Sequence, residues 1–272
     1  MNKEKFKNIL DEFLEQLDDY VSTNDNQWKI KWFIDNLLNV YTISSDTKII
    51  SKILEIHLFP LFLDFANKNW FELVPAQEQN WYPDISLVLK SDPTIRFAID
   101  LKTTYRTWEN KCNWFTLWSH WEYFINRTSE KNIQFPYWSY KWHYCLWIIY
   151  DKSEVKIDET EIFTIDDIKN IKSVISNFTF FAQEKWKIAS DRWWSWNTAN
   201  IWSINEIDKI ILWEWVFIYL WEEMFDEYWM NQWKMIVRNP KWWTKKLTKV
   251  EEFLEHKNMD TSLINKPKFQ WK

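Results

Sequence analysis

The sequence predicts an α/β or α+β fold in one domain, and three observations carry that reading. Apolar residues recur at helical spacing near the amino terminus, two strand-like segments flank a turn between residues 85 and 104, and an unbroken apolar run spans Trp142–Tyr150. In order, Phe6, Ile9, Leu10, Phe13, Leu14 and Leu17 fall at three- and four-residue steps, which marks an amphipathic helix with an acidic outer face. Ser44-Ser45-Asp46 supplies a helix cap for a second helix through Ile49, Ile50, Ile53 and Leu54, which carries Glu55 and which Pro60 is expected to bend or end. Phe71–Val74 reads as a short strand and Ile85–Leu89 as another; Ser91-Asp92-Pro93-Thr94 then turns the chain into Ile95–Thr104 to close a hairpin. Trp142–Tyr150 has the continuous hydrophobicity of a strand buried on both faces, and a helical pattern returns between about Phe217 and Val237. No repeat or low-complexity linker divides the chain, so residues 1–272 are taken as one domain.

Composition narrows the function classes. A formal charge of −5 and a pI near 5.5 exclude a protein that coats nucleic acid through bulk positive charge, although a local basic patch stays open. Cys112 and Cys145 form no CxxC and no cysteine–histidine cluster, which speaks against a disulfide framework or a structural zinc site and fits a reducing, cytoplasmic setting. His57, His120, His143 and His256 lack metal-ligand spacing. The charged amino terminus and the absence of a long apolar run predict a protein that is neither exported nor membrane-bound.

One feature is physically abnormal. An average chain of this length carries roughly 19 glycines, whereas this one has none and has 24 tryptophans. Tryptophan stands where turn chemistry asks for glycine, as in Lys68-Asn69-Trp70 and in the polar stretch Arg192–Asn197. Glycine is therefore expected at most Trp positions of the natural protein, through a stop codon that the source reads as glycine or through deliberate substitution.

The chemistry concentrates at residues 84–102. Alternation along Arg96-Phe97-Ala98-Ile99-Asp100-Leu101-Lys102 sends Asp100 and Lys102 to one face of a strand and Phe97, Ile99 and Leu101 to an apolar opposite face. With Asp84 opening the preceding antiparallel strand, two carboxylates and an amine converge. Such a cluster suits Mg2+, which prefers oxygen ligands, keeps several waters and is held by one or two carboxylates with substrate phosphate oxygens. Phosphodiester hydrolysis is the natural use, with Lys102 orienting or deprotonating the attacking water or stabilising developing charge.

Pro83-Asp84, fifteen intervening residues and Asp100-Leu101-Lys102 resemble the PD-(D/E)xK nuclease motif. The flanks Gln79–Asp84 and Ala98–Tyr105, together with Ser45-Asp46-Thr47-Lys48, resemble the EcoRV-like type II restriction endonucleases, and the similarity covers most of residues 42–205. That resemblance implies a restriction-endonuclease-like fold, a central mixed β-sheet flanked by helices. It implies Asp84 and Asp100 as metal ligands, Lys102 as the catalytic lysine and Glu55 as an acid near the site. Gln79 and Asn80 match a loop that approaches the DNA minor groove, where Trp81 replaces a histidine, and Thr103 and Thr104 fall in the matched strand as DNA-binding candidates.

Farther on, Trp194, Ser195, Trp196, Asn197, Thr198 and Asn200 resemble the family's recognition loop when Trp194, Trp196 and Trp202 are read as glycine. Asparagine can pair bidentately with adenine in the major groove and a threonine methyl can pack on thymine. The resemblance implies blunt cleavage of double-stranded DNA at a GATATC-like palindrome by a homodimer, with the N-terminal helices contributing to dimerisation and a cognate DNA methyltransferase in the same system. Lys241–Lys246 and Lys266, Lys268 and Lys272 are further phosphate candidates, although a solvated basic tail accounts for them as well. The competing readings are another PD-(D/E)xK nuclease, for repair or junction resolution, and a DNA-binding protein that does not cut.

Overall fold

The structure is a computed structural model that describes residues 1–118, 123, 126, 128–154, 158–191, 200–212, 215–231, 236–238, 244–246 and 249–265. Among these, the chain runs through α1 (Lys3–Leu14), α2 (Leu17–Val21), β1 (Trp32–Ile34), β2 (Val40–Thr42), α3 (Thr47–Lys68), β3 (Phe71–Pro75), β4 (Ile85–Leu89), β5 (Arg96–Trp108), β6 (Lys111–Cys112) and β7 (Thr116–Trp118). It continues through β8 (Trp142–Lys152), β9 (Ile162–Phe163), β10 (Ile175–Glu184), β11 (Ile201–Trp202), α4 (Ile207–Ile211), α5 (Val216–Asn231), β12 (Ile236–Arg238), β13 (Thr244–Lys246) and α6 (Val250–His256).

The central sheet has the order β10-β8-β5-β4-β3, with β6 added to β5. Its pairs are antiparallel except β5 with β8, which run parallel. The predicted mixed sheet is therefore present, and the long connection from β5 to β8 is what a parallel pair requires. One sheet face packs Phe97, Ile99, Leu146 and Ile148 against Phe6 and Leu10 of α1 and Leu54, Leu58 and Phe62 of α3. Phe6 anchors this side, its ring stacked 3.7 Å from Phe97 and edge-on to Phe71 at 5.8 Å. The opposite face packs Ala98, Cys145, Trp147 and Ile149 against Phe217, Phe225, Tyr228 and Phe253. Covered on both faces, β8 has no solvated side, which explains its unbroken apolar run.

Two helices depart from the sequence expectation. Asp46 caps α3 by accepting from Lys48 N at 2.9 Å and Ile49 N at 3.2 Å, as predicted, but the helix continues through Pro60 to Lys68. Pro60 lies on the solvent side, where water can bond the carbonyl that its missing N–H leaves behind, while Leu58, Phe62 and Phe65 on the buried side hold the helix to the sheet. The helical pattern predicted up to Val237 stops earlier, because Ile236 and Val237 pair with Lys246 and Lys245 in a β-ribbon. Within α5 the helix is interrupted at Trp221, whose φ of 67° and ψ of 167° are not helical.

Seven described residues have positive φ, and four of them are Asn26, Asn132, Asn177 and Asn258, the residue type that best tolerates this region after glycine. Trp70, at φ 62°, sits between the end of α3 and β3, the position whose composition pointed to glycine.

A second sheet, β1-β2-β9, was not foreseen. Phe33, Ile34, Leu37, Leu38, Ile162 and Ile165, on or beside it, are exposed.

Candidate active site

Strand register builds the site. Ile85 faces Ile99 across the β4–β5 pair, so Asp84, one step earlier, comes opposite Asp100. The Leu101 N–H donates to Asp84 Oδ2 at 2.6 Å and fixes this carboxylate against β5. Asp100 is 4 % exposed and Lys102 follows it on the same face, placing Lys102 Nζ 2.8 Å from Asp100 Oδ2. Phe97, Ile99 and Leu101 point into the core with α1 and α3, as the alternation predicts.

A second cation, which the sequence does not single out, completes the cluster. Lys185 follows the end of β10, is fully buried and places its Nζ 2.8 Å from Asp100 Oδ2, the oxygen that also meets Lys102. Its ammonium lies 4.1 Å from the centre of the Tyr82 ring. No local motif marks it; only the tertiary contact reveals it.

The electrostatics divide the two acids. Burial and the neighbouring Asp100 charge push Asp84 up to about 7, against the pull of Lys102 and the Leu101 N–H. Burial acts in the same direction on Asp100, but Lys102 and Lys185 outweigh it and hold this carboxyl below the usual range. Burial also opposes the charge on Lys102, yet Asp100 and Asp84 keep it above the ordinary lysine value. Beneath them the Tyr82 hydroxyl is hydrogen-bonded to His143 Nδ1 at 2.8 Å, and His143 stacks on Tyr137 at 3.8 Å. Burial, then Lys185, lowers the His143 pKa far below normal, so this histidine is a neutral member of an aromatic floor.

Asp84, Asp100 and Lys102 open onto a cleft of about 410 Å³ that also takes in Gln79, Asn80 and Trp81. Gln79 and Asn80 are exposed at its rim. A neighbouring groove on the α3 side shares Gln79 and Asp84 and is lined by Lys48, Glu55 and Thr103. Glu55 therefore reaches the same region, with its carboxylate 2.7 Å from Lys52 Nζ. Thr104 is placed differently from the DNA-facing position expected of it: it is buried, and its hydroxyl donates to Asn113 O at 2.9 Å, because the 113–115 segment covers this end of β5.

Trp194, Ser195, Trp196, Asn197 and Thr198 lie outside the described residues, as do Lys241, Lys266, Lys268 and Lys272. The base of the candidate recognition loop is described. Ser190 N donates to Trp202 O at 2.7 Å and Ala189 bridges Ser203, so the two arms are tied together, with Asn200 half-buried beside them. β11 then pairs with β7, whose Thr116, Leu117 and Trp118 line the cleft.

Among the described residues no three His, Cys, Asp or Glu side chains converge as a closed metal cage. Two carboxylates at one end of a polar cleft instead suit a hard cation that takes its remaining oxygens from water and substrate. Asp84 is the group that such a cation would relieve, since burial beside Asp100 disfavours its charged form.

The match to the restriction endonuclease EcoRV family spans residues 24–258. The chain is 33% identical over 192 residues to the type II restriction enzyme EcoRV of Escherichia coli, an alignment that takes in 71% of this chain and 77% of that protein. Sheet order, the paired acids with their lysine, and this similarity agree: the chain belongs to the EcoRV family of restriction endonucleases, DNA-binding nucleases of the hydrolase class.

Proposed function

We propose that this chain is a Mg2+-dependent type II deoxyribonuclease that cuts double-stranded DNA at a GATATC-like palindrome and leaves blunt ends. The observation that carries the reading is the convergence of Asp84, Asp100 and Lys102 at one end of an open cleft. Asp84 and Asp100 would hold the ion. Magnesium there would polarise the scissile phosphate and lower the pKa of an attacking water. Lys102, kept protonated by its two acids, orients that water or a phosphate oxygen and offsets charge that develops at phosphorus. Glu55 supports the site from the adjoining groove, and Gln79, Asn80 and Thr103 lie where a duplex crossing the cleft would meet them. Asn197, Thr198 and Asn200, with Trp194, Ser195 and Trp196, form the base-reading loop.

A palindromic site asks for a two-fold protein. The apolar residues exposed on and beside β1-β2-β9 offer a surface for a second copy of the chain, which supports a homodimer. The reading places the enzyme in the cytoplasm, beside a methyltransferase that protects host DNA; no described helix is long and apolar enough to cross a membrane.

The test is incubation with Mg2+ and plasmids that differ only in one GATATC site, with Asp100→Ala as control and the ends mapped. Blunt, site-dependent cuts that vanish in the control support the proposal. Cuts elsewhere keep the nuclease and reject the sequence, while binding without cutting rejects the catalytic assignment.

A further inference from the structure

We propose that Lys185 is a positioning residue for the catalytic acids, which fixes Asp100 and weakens the affinity of the free site for divalent cations. The inference rests on the metal-dependent reading of Asp84 and Asp100. Lysine is seldom fully buried unless it is paired, and Lys185 is 0 % exposed with its ammonium aimed at Asp100 Oδ2. Two ammonium groups, from Lys102 and Lys185, share this one oxygen at 2.8 Å each. One buried carboxylate oxygen thus holds two lysine side chains at once. A divalent cation entering the free protein must compete with both lysines for Asp100. A DNA phosphate in the cleft adds negative charge and tips the balance toward the ion. Lys102 reaches the cleft and can turn toward substrate, whereas Lys185 is enclosed beneath it and touches Tyr82. Its role therefore passes through Asp100 rather than through the reacting atoms.

The experiment measures Mn2+ binding to the full-length protein without DNA, by calorimetry or by the electron paramagnetic resonance of free ion, for the parent chain, Lys185→Met and Lys185→Arg. Lys185→Met removes one positive charge beside the site and is expected to tighten Mn2+ binding by at least about tenfold, while its cleavage rate falls because Asp100 has lost a support. Lys185→Arg keeps the charge and is expected to retain weak binding. A purely structural lysine predicts the reverse, with loosened acids and binding unchanged or weaker, and that result overturns the proposal. If Lys185→Met fails to give a cooperative thermal transition, Lys185→Gln supplies the same charge change with a polar end group. Absence of Mn2+ binding in the parent chain and every variant, with or without a DNA oligonucleotide, would instead sink the metal-site reading itself.

A different observation carries a second inference: glycine is the natural residue at positions 70 and 221. Trp221 occupies a region of φ and ψ that is essentially reserved for glycine, and it is 70 % exposed, so little burial holds the indole there. Trp70 has φ of 62° and is 74 % exposed. Peptide mass spectrometry of the protein from its original source distinguishes the two residues by mass. Glycine at both 70 and 221 supports the inference; tryptophan at either overturns it.

Discussion

Replacing Trp221 by glycine and by alanine should give the opposite stability order from that expected at a position with ordinary backbone. Both variants delete the same indole, so lost burial nearly cancels between them and the backbone term remains. In ordinary backbone glycine is less stable than alanine by roughly 0.5–1 kcal/mol, through the greater entropy of its unfolded chain. At the φ of 67° and ψ of 167° found for Trp221, any residue with a Cβ carries strain of order 1–3 kcal/mol. The difference leaves Trp221→Gly more stable than Trp221→Ala by up to about 2.5 kcal/mol, and by about 1 kcal/mol at the middle of both ranges. At about 2–4 °C per kcal/mol for a chain near this size, that is a gap of a few degrees in Tm. Trp108 is the control, because it is 76 % exposed and is not among the positive-φ residues; there alanine should be the more stable. Urea unfolding at unchanged m-value measures both pairs. If alanine equals or exceeds glycine at 221 as it does at 108, the backbone argument for glycine fails.

Three further outcomes follow from the acid cluster. Asp84 has its pKa raised from 3.8 to about 7, so the metal-free native state binds more protons than the unfolded state between these values, and stability falls as pH rises across that window. The penalty at pH 8 is on the order of 2–4 kcal/mol after allowance for its opening onto the cleft; Asp84→Asn should remove the slope in a series of urea melts from pH 4 to 8. Because a cation must displace the same proton, Mn2+ affinity of the parent chain should rise as pH climbs toward 7 and level off above it, which calorimetry in matched buffers will show. Lys102→Met should cut single-turnover cleavage by about 10²-fold or more with DNA affinity in Ca2+ little changed, since the lost ammonium acts on the developing charge; an equal loss of binding would assign it to substrate anchoring instead.

The paired acids were legible because a strand period of two and an antiparallel partner leave few ways to arrange Asp84, Asp100 and Lys102. The continuous apolar run of β8 likewise announced a strand covered on both sides. Lys185 was not legible, since nothing beside Glu184 and Trp186 distinguishes a lysine in a charged turn from one folded back onto Asp100 across the sheet. Pro60 misled because local propensity says a helix should break there, while packing of Leu58 and Phe62 maintains it. The exposed β1-β2-β9 sheet escaped notice because its strands are only two or three residues long, too short for periodicity to register.

The parallel pairing of β5 with β8 also orders the birth of the enzyme. Asp84, Asp100 and Lys102 leave the ribosome early, but the strand that carries two of them cannot settle until β8 has been made, and the cation that holds Asp100 arrives later still, after β10. A nascent chain that already contains both acids is thus without the assembled cluster. The two acids and two lysines can come together only when most of the polypeptide has been synthesised.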